Sequence, residues 1–179
     1  MRSIWDFNET KNYTNVNNYK VLISPLAESA AILLEILDTL VRTLQYKIKA
    51  TKINMYDKYL DLLSKTPHIL QEMQLHKDQG SIIFNGLNKP KDIYLTRDIP
   101  IGEDKRLRAK YRKIFLTLKT KNGRLKTINE MKSLLAHELT HTALNHVTWK
   151  DDNHPKLFKE YNKVILSMIN SILSASSIQ

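Results

Sequence analysis

The sequence predicts one α+β domain, with helices first, a small mixed sheet in the middle, a helix carrying paired histidines, and a closing C-terminal helix. Three observations predict it. Apolar residues recur at helical spacing over 26–48 and again over 157–173. Residues 112–119 instead alternate, with Ile114, Leu116 and Leu118 on one side and Lys113, Phe115, Thr117 and Lys119 on the other. The 179 residues carry no internal repeat and no linker, and a chain of that size buries roughly 70% of its unfolded surface around a single core.

Residues 1–20 are polar and asparagine-rich and read as a flexible lead-in, which leaves 21–179 as the domain. Ser24-Pro25 supplies an N-cap and a proline at the first helical position. The helix that follows carries the stripe Leu26, Ala30, Leu33, Leu37, Leu40, Val41, Leu44 and Ile48. A shorter helix covers 54–64, and another is expected to start at Thr66-Pro67 and run through Ile69, Leu70 and Met73.

The period then changes. Residues 81–85 and 92–97 are short β-rich runs separated by Gly- and Pro-containing turns, and the alternating strand 112–119 ends at a Lys-Asn-Gly turn, 121–123. Thr127 followed by Glu130 is a capping box, so a helix starts there and runs through Met131, Leu134 and Leu135 into the histidine pair. The last helix starts near Asn153 and Pro155.

Several functions are excluded or disfavoured by composition. There is no cysteine, so disulfides, thiolate metal sites and a cysteine nucleophile are ruled out, and any metal must be held by His, Asp or Glu. The most apolar stretch is broken by Glu28, Glu35, Asp38, Arg42 and Lys47 and is not expected to span or bind a membrane. The first residues lack the apolar run of a signal peptide. The protein is therefore expected to be intracellular, nuclear or cytoplasmic, and not secreted.

His137-Glu-Leu-Thr-His141 carries the chemistry. Positions four apart on a helix lie one turn up and about 40° round, so both imidazoles can reach one ion, with Glu138 placed to bond a water on it. One Zn2+ per chain is expected, with His137 and His141 as ligands and Glu138 as general base. Two further histidines compete for a third ligand position. On a continued helix His146 would lie about 180° from His137, and it could join only if the helix broke at Asn145, a residue that tolerates the left-handed conformation. His154 stands where the loop 147–153 returns the chain to the next helix, and it is the expected third ligand; Asp151 and Asp152 are further options. His146 is then a bystander near Trp149, or an oxyanion donor alongside Tyr161 and Tyr111.

The stretch IFLTLKTKNGRLKTINEMKSLLAHELTH resembles the strand, turn and active-site helix of WLM-domain metalloproteases and of SprT-like (Spartan-type) proteases. HELTH, then twelve residues, then HPKLF is similar to the SprT-like arrangement, with Phe158 in the aromatic place four residues after the third histidine. The resemblance covers about 110–160. It implies a zincin-like metalloprotease domain with His137, His141 and His154 as zinc ligands and Glu138 as catalytic base. Two positions depart from it: Val147 stands where WLM members place the third histidine, and Pro155 stands where SprT-like members have glycine. These families cleave proteins crosslinked to DNA, so the resemblance implies a protein substrate, a DNA partner and a part in DNA-protein crosslink repair.

The charge fits such a partner. The net charge is +10, and Lys105, Arg106, Arg108, Lys110, Arg112 and Lys113 cluster with Tyr111 and Phe115, rings able to stack on unpaired bases. Single-stranded DNA is the expected form. Two alternatives stand beside this one: a catalytically silent zincin-fold protein that binds or packages nucleic acid, and a zinc protease for protein processing with no DNA link. The intact Glu138 favours turnover, because a structural metal site needs no base.

Overall fold

The computed structural model describes residues 29–51, 57–74, 85–97, 107–147 and 155–176. Its elements are α1 (Ala30–Thr51), α2 (Lys58–Lys65), β1 (His68–Met73), β2 (Gly86–Leu95), β3 (Leu107–Thr117), α3 (Ile128–Ala143) and α4 (Pro155–Ser176). The order is the expected α+β one of N-terminal helices, a small mixed sheet and two packed C-terminal helices. The expected start at Ser24-Pro25, the lead-in 1–20 and most of the run 81–85 lie outside the described residues. None of the described helices is long and apolar enough to cross a membrane.

The sheet order is β1-β3-β2, with β1 parallel and β2 antiparallel to the central β3. On β3, Ile114 and Leu116 face inward and are fully buried, as their alternation requires. They join Leu118, the α1 stripe Leu33, Ile36, Leu37, Leu40 and Leu44, the α3 residues Met131, Leu135 and Leu139, and the α4 residues Ile165 and Ile169 in one core. Each such side chain contributes about 1.5–3 kcal/mol when fully buried. The helices therefore lie on the sheet face that carries Leu70, Ile114 and Leu116. The other face carries Ile69, 48% exposed, and Ile93, 46% exposed.

Four expectations change. Thr66-Pro67 ends a helix instead of starting one: Thr66 is the extended C-cap of α2, the conformation favoured before proline. The Pro67 carbonyl then accepts the Arg112 N–H, and His68–Met73 pairs in parallel with Arg112–Thr117. Ile69, Leu70 and Met73 fit either period, so the pairing partner decided. Gly86 to Pro90 lie inside β2 and not in a turn; β2 is an edge strand, where a proline without an N–H is tolerated. The short second helix begins at Lys58 because the Asp57 carboxylate caps the N–H groups of Tyr59 and Leu60. The central strand starts earlier than expected, at Leu107, while Lys119 makes only an isolated bridge to Leu125 across the turn at Gly123.

Candidate metal centre

α3 starts as the sequence requires. Thr127 Oγ1 accepts from the Glu130 N–H at 3.1 Å, and Glu130 Oε1 accepts from the Thr127 N–H at 2.9 Å. Arg124 holds the same carboxylate through two bonds of 3.1 and 2.9 Å. Those bonds and the Thr127 N–H pull the Glu130 carboxyl down to about 2.

Two and a half turns further on, His137 is exposed and His141 half-buried, with their Nε2 atoms 3.3 Å apart. Two nitrogens bound to one tetrahedral ion at 2.0–2.1 Å lie about 3.3 Å from each other, so this pair matches two corners of a zinc site. Phe158, in the first turn of α4, packs its ring at 4.9 Å from the centroids of both imidazoles. Burial, then the neighbouring His146, His137 and Arg112, push the His141 imidazole down to about 3, which keeps it neutral and able to donate a lone pair.

The helix breaks at Asn145, and His146 does not point away. Asn145 takes φ 57°, the left-handed region. Its N–H bonds the Thr142 carbonyl and the His146 N–H bonds the His141 carbonyl, each at 3.0 Å, the two bonds of a Schellman motif. That motif lays the second residue beyond the cap over the third residue from the helix end, here His146 over His141. The two Nδ1 atoms are 2.8 Å apart. The Asn145 side chain fixes the break by donating to the Leu107 carbonyl at 2.7 Å. The sequence signal was Asn145 itself, a common substitute for glycine at this position.

Glu138, on the same helical turn as His137, is 4% exposed and carries its carboxylate beside Gly86 of β2. A Cβ at Gly86 would lie 3.0 Å from Glu138 Oε2, so the glycine makes room for the carboxylate. Burial pushes the Glu138 carboxyl up to about 7, the range in which a group exchanges protons at neutral pH.

A buried polar layer supports this segment, and sequence reasoning missed most of it. Asn88 Nδ2 donates to the Glu138 carbonyl at 2.6 Å and to Thr142 Oγ1 at 2.8 Å, and Asn88 Oδ1 accepts from Arg112 Nη1 at 3.1 Å. His68 Nε2 meets Thr142 Oγ1 at 2.9 Å, and its Nδ1 faces the Gln45 amide at 3.4 Å. The residue types are polar and scattered over five elements, so no local pattern reveals them.

Other expected site residues are placed differently. Arg112, 1% exposed, faces inward and bonds Asn88 and the His146 carbonyl, so it is not open to a phosphate. Its even position on β3 puts it on the helix-covered face. The Tyr161 hydroxyl donates to Asp57 Oδ2 at 2.5 Å, an acceptor on the N-cap of α2, and not to the histidine cluster. Tyr111 sits at an odd position of β3, on the face away from α3. His154, Asp151, Asp152, Lys105 and Arg106 lie outside the described residues. Among the described residues, no group of three or more His, Cys, Asp or Glu side chains converges so as to hold a metal ion.

No family model, curated protein or solved structure matches this chain. The reading of the site therefore rests on its own residues, a histidine pair at metal-ligand separation and a buried carboxylate on the same helical turn.

Proposed function

We propose that this protein is a zinc-dependent endopeptidase of the zincin type, with His137 and His141 as two ligands and Glu138 as the base. The observation that carries this reading is the 3.3 Å separation of the two Nε2 atoms, reached without distorting the helix. His154 is the proposed third ligand: in sequence it immediately precedes Pro155, where α4 begins, and Phe158 one turn later lies against both imidazoles. A bound zinc would supply Lewis acidity and lower the pKa of water to about 7. Glu138 would then take the proton of the attacking water and pass it to the leaving amine, while β2, at the edge of the sheet among the described residues, would pair with an extended substrate.

The test is zinc content together with cleavage of an unfolded protein such as denatured casein. Glu138→Gln is expected to keep stoichiometric zinc and lose cleavage, while His137→Ala and His141→Ala lose the metal. A Glu138→Gln variant as active as wild type would sink the mechanism.

A second reading concerns DNA and rests on the sheet face turned away from the helices. Phe115, Lys113 and Tyr111 on β3 pair with Leu87, Lys89 and Lys91 on β2, and Lys89 Nζ lies 5.6 Å from the Phe115 ring centroid. Cations interleaved with aromatic rings suit single-stranded nucleic acid. Lys110 is exposed and Arg108 half-buried on the same strand, whereas Lys89 and Lys91 were not anticipated. Replacing Lys89, Lys91 and Lys113 together by alanine is expected to weaken single-stranded DNA binding and to flatten its salt dependence. Unchanged affinity at low salt removes this partner and leaves a protease without a DNA link.

A further inference from the structure

We propose that His146 is a positioning residue for the metal centre: its Nδ1 accepts the Nδ1–H of His141 and thereby aims the His141 Nε2 lone pair at the position shared with His137. This inference rests on the zinc reading above and adds the residue that orients one of its ligands.

The geometry separates three roles for His146. The two nitrogens of an imidazole direct their lone pairs to different sides of the ring. His141 presents Nε2 to His137 at 3.3 Å and Nδ1 to His146 at 2.8 Å. An ion shared by the two Nε2 atoms therefore lies on the side of His141 opposite His146, which removes His146 as a ligand of that ion. A bystander would have no reason to be held, yet His146 is restrained three times. The Schellman turn fixes its backbone, Arg112 Nη1 bonds its carbonyl at 3.1 Å, and its ring stacks on Phe158 at 6.0 Å with 13° between the planes.

The hydrogen bond also selects a tautomer. A neutral imidazole carries one proton; for Nε2 to donate to a metal that proton must sit on Nδ1. His146 then accepts through its own Nδ1 and carries its proton on Nε2. The opposite arrangement, with His146 donating, leaves the proton on His141 Nε2 and blocks the metal. Groups that accept the second N–H of a ligating histidine raise its basicity and hold its ring, and losing one weakens metal binding about 10–100-fold.

The experiment measures zinc affinity of the full chain by competition with a chromophoric chelator, with circular dichroism as a check on folding. His146→Asn places an amide oxygen where Nδ1 was, so it is expected to bind within a few-fold of wild type. His146→Leu keeps bulk without an acceptor and is expected to lose about 10–100-fold. His141→Ala is expected to lose competitive binding altogether. Wild-type affinity in His146→Leu would make His146 a bystander and overturn the proposal. Loss in His146→Asn as complete as in His141→Ala would make it a ligand, with the same result. Nitrogen-15 NMR of the zinc-loaded wild type needs no variant: His141 should show a protonated Nδ1 and a metal-bound Nε2, and a metal-bound His146 refutes the assignment. If the wild type holds no zinc, the protease reading fails and this one falls with it; if it does, the His146 variants test this inference alone.

Discussion

Replacing His68 by glutamine tests the polar layer beneath the histidine helix through its pH dependence. Burial first, and the nearby Arg112 guanidinium second, push the His68 imidazole from 6.5 down to about 3. The hydrogen bonds agree, because Nδ1 faces the Gln45 amide, a donor, and a proton there would meet another N–H. The folded protein thus keeps His68 neutral, while the unfolded chain takes up a proton below about 6.5. Stability from this group is complete above 6.5 and is lost as the pH falls toward 3, because the unfolded state binds the extra proton. Between about pH 7 and about pH 5 the loss integrates to about 2 kcal/mol. Urea unfolding at both pH values, in the presence of a chelator, gives the difference for wild type and for His68→Gln. Glutamine does not titrate, so its stability is expected to fall by about 2 kcal/mol less over that interval, whatever its cost at neutral pH. Equal losses in the two proteins would show that His68 is protonated in the native state and refute the reasoning.

Two further outcomes follow from the packing. Gly86→Ala would place a Cβ 3.0 Å from Glu138 Oε2 and from Leu134 Cδ1, and 3.1 Å from the Phe115 carbonyl; the side chains can move but the ladder carbonyl cannot. Overpacking is expected to cost about 1–3 kcal/mol, read by urea unfolding, and to lower peptide cleavage more than zinc content. Thr127→Ala removes the acceptor for the Glu130 N–H at the start of α3 and is expected to cost about 1 kcal/mol, measured as a lower Tm at unchanged zinc affinity.

The capping box at Thr127, the pairing of His137 with His141, and the buried line Ile114, Leu116 and Leu118 were all legible in the sequence. Each depends on residues a few positions apart, where helix and strand periodicity dictate direction. Tertiary structure alone decided the rest. His68–Met73 became a strand because β3 offered a parallel partner, and Arg112, which alternation places on the face of Ile114 and Leu116, is accepted inside because Asn88 and the His146 carbonyl bond its guanidinium. Tyr161 went to Asp57, distant in sequence, instead of the histidines. The break after α3 stands between the two cases. Asn145 signalled that the helix could end, but the bond from its side chain to Leu107 on β3 holds it in the left-handed turn. That non-local contact is what brings His146 onto His141, where helical periodicity alone would have sent it to the opposite face.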